Sequence, residues 1–520
     1  MSVHRTRRQF LADVGRGALV ASVGYGLAKD LGFGVAFADE PSDALSFGPL
    51  EPLVALLQET SADGLLEVLV GKLRSGTDLK ALVTAAALAN ARTFGGEDYV
   101  GFHTMMALGP AWHLAEESPE KRRALPVLKV LYRNTARIAE FGGRKNEVLR
   151  AVAPTTPPEG KVGGEWLRDA VRSKDAAAAE RAFAGLAQGS AGDALNAALY
   201  AVEDDAEVHR VALPYRAWEL SSVIGAEHAH TLLRQSVRYC VKTEAGRHGG
   251  SFGKVRELLP KLLDDHHLLA LAPGTKAGDD AWIEATSRAI FEASPEDAAA
   301  LAAAALAEGR APADLGEAIS LAANQLLLRD VGRAANEVRP GKAAGSVHGD
   351  SIGLHASDSA NAWRNLAAAG TPRNTFACLI VGAWQAAYDR ISRGGDFLHW
   401  APNPKPEDVA KVDASDADAL LRAADEAVRA NDQARACAIV HRCGQLDVPA
   451  RRVFDLLLGH AVSEDGSLHA EKYYRTVTEE FAATRPAFRW RHLVALARVT
   501  ASEFGQRAAG YEEACRRLGV

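Results

Sequence analysis

The spacing of apolar residues constrains this chain more than any other feature. Leu53-Val54-Leu56-Leu57 and Leu65-Leu66-Leu69-Val70 recur at three- and four-residue intervals, the period of one helix face. Runs alternating every second residue, as a half-buried strand needs, are scarce. Ala, Leu, Arg and Glu fill the periodic segments, and all four are good helix formers. Gly and Pro fall between the segments, most clearly at Pro154-Thr155-Thr156-Pro157-Pro158 and Pro402-Asn403-Pro404-Lys405-Pro406, where they mark loops. The expectation is an all-α protein.

With 520 residues the chain is long enough for a repeat assembly, and self-similarity supports one. Small helical pairs start near Thr60, Ser173, Ser294 and Ala414, at spacings of 113, 121 and 120 residues. Each pair is broken by a short turn: Gly76-Thr77-Asp78, Gly189-Ser190-Ala191-Gly192-Asp193, Gly309-Arg310-Ala311-Pro312-Ala313-Asp314 and Ala430-Asn431-Asp432. The Asp of each turn is a good helix N-cap. After each pair comes a helix with His near its start: GFHTMMALGPAW from Gly101, EVHRVALPYRAW from Glu207, GLHASDSANAW from Gly353 and SLHAEKYYRTV from Ser467. Trp112 and Trp218 lie nine residues beyond their His, and Trp363 lies eight beyond. A second apolar helix follows, carrying Leu128-Leu131-Tyr132, Leu232-Leu233-Val237, Leu379-Ile380-Trp384 and Leu493-Val494-Leu496. The reading is a single domain over 39–520: a helical-repeat superhelix or toroid of about four units of about four helices, covering 50–153, 165–275, 290–400 and 408–520. Each unit buries its open face on the next.

The N-terminus points to export. Thr6-Arg7-Arg8-Gln9-Phe10-Leu11 reads as a twin-arginine signal. A Gly-rich, mildly apolar stretch from Ala18 to Phe37 follows, then Ala36-Phe37-Ala38 as a small-x-small cleavage site. Residues 1–38 are therefore expected to be a signal peptide read by the twin-arginine machinery. The mature chain would begin at Asp39, carry no membrane span, and end up periplasmic or extracellular. That route carries proteins already folded, often with a cofactor loaded inside the cell. Sixty Lys+Arg against 66 Asp+Glu leave a net charge of −6, which disfavours a nucleic-acid partner recruited by bulk positive charge. Five Cys cannot build a disulfide scaffold in a chain this long. Cys437 and Cys443, six apart on a helix, face different ways, so no bridge is expected.

The leading candidate site is the set His103, His209, His355 and His469. Equivalent positions in a curved array face a common axis, and four converging imidazoles suit Fe, Cu or Zn, or a non-covalent haem. His228, next to Glu227, and Asp358 are expected to stand behind these ligands and support them, with Ser359 facing the same pocket. His230, two residues from His228, points to the opposite side of a helix and is expected to be structural. Gly349-Asp350-Ser351-Ile352-Gly353 matches the G-x-S-x-G pattern, but the loop before it lacks the strand that a nucleophile elbow needs. It reads as a tight lead-in to the helix of His355. Asp264-Asp265-His266-His267 reads as a solvated helix end and Met105-Met106 as core. Arg489 and Arg491 cannot both aim at one anion. H-E-x-x-H, C-x-x-C-H, Walker A and G-x-G-x-x-G are absent from the sequence.

The runs VHRVALPYRAWELSSVIGAEHAHTLLRQSVRY, SLHAEKYYRTVTEEFAATRP and FRWRHLVALARVTASEFG resemble a family of exported bacterial all-helical proteins without an assigned activity. More distantly, His355 at the head of a helix followed by small residues is similar to the questin-oxidase-like group. That resemblance implies Baeyer–Villiger-type oxidation of aromatic polyketides with a reduced nicotinamide. The expected function is thus an exported metal- or cofactor-dependent oxidoreductase with a His-lined central pocket and a small-molecule substrate. The alternative is a non-catalytic scaffold that binds a ligand or protein partner on its concave face.

Overall fold

The computed structural model describes residues 43–246, 252–392 and 394–520. The twin-arginine motif and its cleavage site lie outside them. Helices take 72% of the described residues, with 23 α-helices and no strand, only four isolated bridges. No described helix is long and apolar enough to cross a membrane.

The helices follow one another in four runs of five. The first run is α1 (Glu51–Glu59), α2 (Ala62–Arg74), α3 (Leu79–Phe94), α4 (Tyr99–Glu117) and α5 (Leu125–Phe141). The second is α6 (Gly163–Arg172), α7 (Ala176–Leu186), α8 (Ala191–Val202), α9 (Val208–Ile224) and α10 (Ala229–Ala245), with α11 (Val255–Asp265) appended. The third is α12 (Asp280–Glu292), α13 (Pro295–Ala307), α14 (Pro312–Arg329), α15 (Ile352–Ala369) and α16 (Pro372–Ser392), followed by the single turn α17 (Pro406–Val409). The fourth is α18 (Ala417–Arg429), α19 (Gln433–Gln445), α20 (Ala450–Ser463), α21 (Ala470–Ala483) and α22 (Trp490–Glu503), with α23 (Tyr511–Leu518) at the end. Each run holds five helices where the sequence suggests about four. The third begins at Asp280 rather than near 290.

The fourth helix of each run lies innermost. α4 packs on α9, α9 on α15, α15 on α21, and α21 back on α4. A second cycle surrounds the first: the third helix of each run packs on the fifth helix of the next, α3 on α10, α8 on α16, α14 on α22 and α20 on α5. At every one of these junctions a cation on the fifth helix reaches the C-terminal end of the third helix before it. Arg238 meets Glu97 and Arg373 meets Glu203. Arg498 donates to the Leu327 and Asp330 carbonyls. Lys129 donates to the Ala461 carbonyl at 2.8 Å and to that of Glu464. A helix C-terminus presents unpaired carbonyls and the negative end of the helix dipole, so a cation is the side chain that satisfies it. α23 packs on α2 and α5, tying the last run to the first.

Candidate functional site

The inner helices begin at one end of the bundle, and their first turns carry the four histidines. The start of each is fixed locally. The Asp98 carboxylate accepts the Gly101 N–H at 2.7 Å, Glu207 accepts the His209 and Arg210 N–H groups at 3.0 and 3.1 Å, and the Ser351 hydroxyl accepts the Leu354 N–H at 3.3 Å. These are N-caps. Ser351, the serine of the G-x-S-x-G pattern, is spent on that cap and on donating to the Val347 carbonyl at 2.6 Å. At the fourth position the backbone does the work: Gly466, Ser467 and Leu468 all have positive φ, at 56°, 50° and 74°. For Ser467 and Leu468 this is a sparsely populated conformation, and it swings the Ser467 carbonyl onto Nδ1 of His469 at 2.8 Å.

His103, His209, His355 and His469 meet in one ring. Neighbouring ring centroids are 4.8 Å (His103–His209), 5.5 Å (His209–His355), 5.2 Å (His355–His469) and 5.2 Å (His469–His103) apart. Nε2 of His103 lies 3.2 Å from Nε2 of His209, and Nε2 of His355 lies 3.2 Å from Nε2 of His469. Three of the outward nitrogens are engaged as follows. Nδ1 of His103 donates to the Tyr99 carbonyl at 2.7 Å, Nδ1 of His209 to the Glu207 carboxylate at 2.6 Å, and Nδ1 of His469 to Ser467. Tyr239 donates its hydroxyl to the other Glu207 oxygen at 2.9 Å. In a neutral imidazole a proton on Nδ1 leaves a lone pair on Nε2, so these nitrogens point lone pairs inward. Among the described residues, however, no group of three or more His, Cys, Asp or Glu side chains is arranged to hold a metal ion, and the imidazoles touch in pairs.

For two of the rings, His103 and His469, burial and neighbouring charges favour the neutral form. Burial, then the Lys472 ammonium and the adjacent histidines, hold His103 well below the ordinary imidazole value. Burial, then Lys472 and His355, do the same for His469. Burial raises Glu207, but the His209 imidazole and the bonds it receives outweigh that and bring it to about 2, so it stays a carboxylate. One face of the ring is aromatic. Phe102 stacks on His103 at 4.8 Å, and Tyr99, 50% exposed, lies 4.3 Å from the same imidazole. The other face holds a cavity of about 10 Å³. Its walls include Met106, Ala212, Asp358 and Lys472, each three residues beyond one of the histidines and therefore on the same helix face, one turn deeper. Deeper still, Arg216 donates to Thr476 at 3.0 Å and to Glu219 at 2.7 Å, and Tyr215 donates to Glu479 at 2.6 Å.

Asp358 thus joins the site, accepting from Thr476 at 2.7 Å. His228 does not. It follows the C-terminal end of α9, and that 17-residue helix puts it about 25 Å from His209. Ser359 faces away too, accepting from Gln385 at 2.9 Å. His230 stacks on Phe183 at 5.4 Å in the core, and Asp264, Asp265 and His267 are exposed at the end of α11. Arg489 lies over Phe481 and Arg491 pairs with Glu284. All five cysteines are free thiols. Neither the 3.2 Å contacts nor the narrow cavity leaves room for a porphyrin, which is wider than the ring of imidazoles. Sequence reasoning missed Lys472, Glu207 and Tyr99; the three-residue step from each His was the available signal for Lys472.

Compared with known protein families, curated proteins and solved structures, the chain matches none.

Proposed function

We propose that the four runs are copies of one unit, and that their converging histidines bind one transition-metal ion, making the protein a metal-dependent oxidoreductase of small reagents. One observation carries the metal reading. His103 and His209 both spend Nδ1–H on groups that can only accept, so two lone pairs face each other across 3.2 Å. That contact repels unless a metal ion or a proton lies between them. Two nitrogens about 2.0–2.1 Å from one ion sit about 2.9 Å apart in a square and about 3.4 Å apart in a tetrahedron, and 3.2 Å falls between. Four such imidazoles would have neighbouring centroids about 4.5 Å apart in a square and about 5.2 Å in a tetrahedron, close to the 4.8–5.5 Å found. Imidazole donors suit Fe, Cu and Zn alike; the oxidoreductase reading requires iron or copper. The outward bonds to Glu207, Tyr99 and Ser467 are the outer partners that orient metal-bound histidines.

Space beside the ring sets the substrate. About 10 Å³ accommodates a water-sized reagent, so the reading favours electron transfer or chemistry on such a molecule over oxidation of an aromatic polyketide. A scaffold needs an open concave face, whereas the inner helices here close on one another. Export by the twin-arginine route agrees with an ion inserted before translocation; replacing Arg7 and Arg8 by Lys should leave the precursor in the cytoplasm, and undiminished export would refute it.

The test of the centre is elemental analysis after reconstitution with iron, copper or zinc. About one ion per chain is expected, retained against a weak chelator and lost when His103 and His209 are both replaced by Ala. No stoichiometric ion of any of the three would mean that the facing nitrogens share a proton instead.

A further inference from the structure

A second cavity lies at the seam between the third and fourth runs. It measures about 490 Å³, within the range of sites that take small organic molecules, and its walls share no residue with the cavity beside the imidazole ring. α12, α14, α19 and α22 supply the walls, with the turn before α22 and the loop at 402–404. That loop is pinned: the Asn403 backbone N–H and side-chain amide both donate to the Leu328 carbonyl, at 2.8 and 3.2 Å. The apolar part of the wall is aromatic, made by the buried Phe291 and Phe488 and the half-buried Trp490. Gly444 makes room for the Trp490 indole, which lies 2.8 Å from where a Cβ would stand.

The polar part of the wall carries a surplus of positive charge. Three arginines and two glutamates line the cavity. Arg491 and Glu284 neutralise each other at 2.7 Å. Arg288 is exposed and makes no hydrogen bond or ion pair with any described residue. Arg329 is half-buried, its guanidinium 5.2 Å from the centroid of the Phe291 ring. It donates only to uncharged groups, the Gln325 amide oxygen at 3.2 Å and the Trp400 carbonyl at 2.8 Å, and its Nη2 has no partner among the described residues. An arginine stays protonated. The remaining carboxylate, Glu292, is exposed and acts on Arg329 only from beyond ion-pair distance, and one glutamate does not offset two arginines. His441 adds a donor. Arg442 holds the Gln445 amide oxygen at 3.0 Å, so the amide nitrogen donates to Nε2 of His441 at 3.1 Å. Burial lowers the affinity of this imidazole for a second proton, and the one it keeps sits on Nδ1.

From this wall we infer that the seam between the third and fourth runs is a binding site for an aromatic carboxylate, its ring against Phe291, Phe488 and Trp490 and its carboxylate on Arg329 and Arg288. A carboxylate matches the guanidinium fork and forms charge-assisted hydrogen bonds with it. A bare inorganic anion would leave the aromatic wall uncovered, and an organic cation would meet the surplus positive charge.

2-Naphthoate is the probe, titrated calorimetrically into the full chain beside two molecules of similar shape, the neutral 2-naphthamide and the cationic 2-naphthylmethylammonium. One naphthoate per chain is expected, with the amide weaker by about tenfold or more and the cation weaker still. Arg329→Gln should weaken naphthoate by about tenfold or more and leave the amide unchanged, with circular dichroism at the wild-type level. Arg288→Gln breaks no contact within the protein, so it keeps the site testable if the Arg329 variant fails to fold; it should weaken naphthoate severalfold. No saturable naphthoate binding at millimolar concentration overturns the inference. So does equal affinity for the amide or the cation, or naphthoate binding that no folded variant of the two arginines weakens.

Discussion

Glu207 shows how much one side chain does at this centre. It caps α9 through two backbone N–H groups, orients His209 through Nδ1 and accepts from Tyr239. Glu207→Gln keeps the shape but removes the charge. An amide can still accept from His209, though more weakly, and no longer fixes the imidazole's tautomer. Loss of such an outer partner lowers metal affinity by about 10–100-fold. Competition with a chelator of known affinity should show that drop, while circular dichroism stays at the wild-type helical level. An unchanged affinity would remove Glu207 from the site. The residue itself stands two positions before His209 in the sequence, but its role was not readable there. Whether a Glu at a helix start turns back onto its own helix or out to solvent depends on what is packed over it, here Tyr239 of α10.

At the scale of single helices, two buried histidines on the fifth-position helices set an acid limit. Burial brings His230, at the start of α10, and His492, in α22, down to about 4; for His492 the Glu480 carboxylate opposes that effect only in part. In the unfolded chain an imidazole titrates near 6.5. The unfolded state therefore binds protons that the folded state refuses. The stability these residues contribute is full above pH ~6.5 and is lost as pH falls from there toward 4. The limit is about 3 kcal/mol each. Urea midpoints should fall between pH 6.5 and 5, before most carboxylates protonate, and His492→Gln should flatten the fall. A midpoint independent of pH over that window would show that His492 is not neutral by burial. The helices themselves were legible in the sequence, since the three-four period and the Gly and Pro breaks need no partner to be seen. Cap and register details were less so. Asp78 and Asp432 cap as expected, but Ser190 takes the cap with Asp193 as its capping-box partner, and Asp314 instead accepts the Gly278 N–H. The turn Ala430-Asn431-Asp432 joins the first and second helices of its run, whereas its supposed equivalents join the second and third. Ala-rich helices resemble one another in composition, so composition does not number them.

For the whole molecule the decisive contact is between the last run and the first. Lys129, buried on α5, pairs with the buried Glu471 at 2.8 Å and caps α20 through two carbonyls. Lys129→Met keeps the apolar stem and strands the carboxylate, a loss of about 3–5 kcal/mol. Denaturant unfolding should register it, and adding Glu471→Gln should recover part, because the stranded charge is then gone. If the double variant is no more stable than the single one, the ring is closed by packing alone.

By itself the sequence determined the all-α class, the helical segments and the four histidines at four helix starts, because each rests on local chemistry: period, propensity and capping. It also placed Asp358 near them, one helix turn from His355. Tertiary structure decided that the fourth helices pack in a closed cycle, that each fifth helix sends a cation to the end of its neighbour's third, and that Lys472 faces a water-sized space beside the imidazoles while His228 lies a helix-length away. These depend on which residues, hundreds of positions apart in the chain, come within a few ångströms. Helical periodicity shows which face of a helix is buried and carries no information about the helix that covers it.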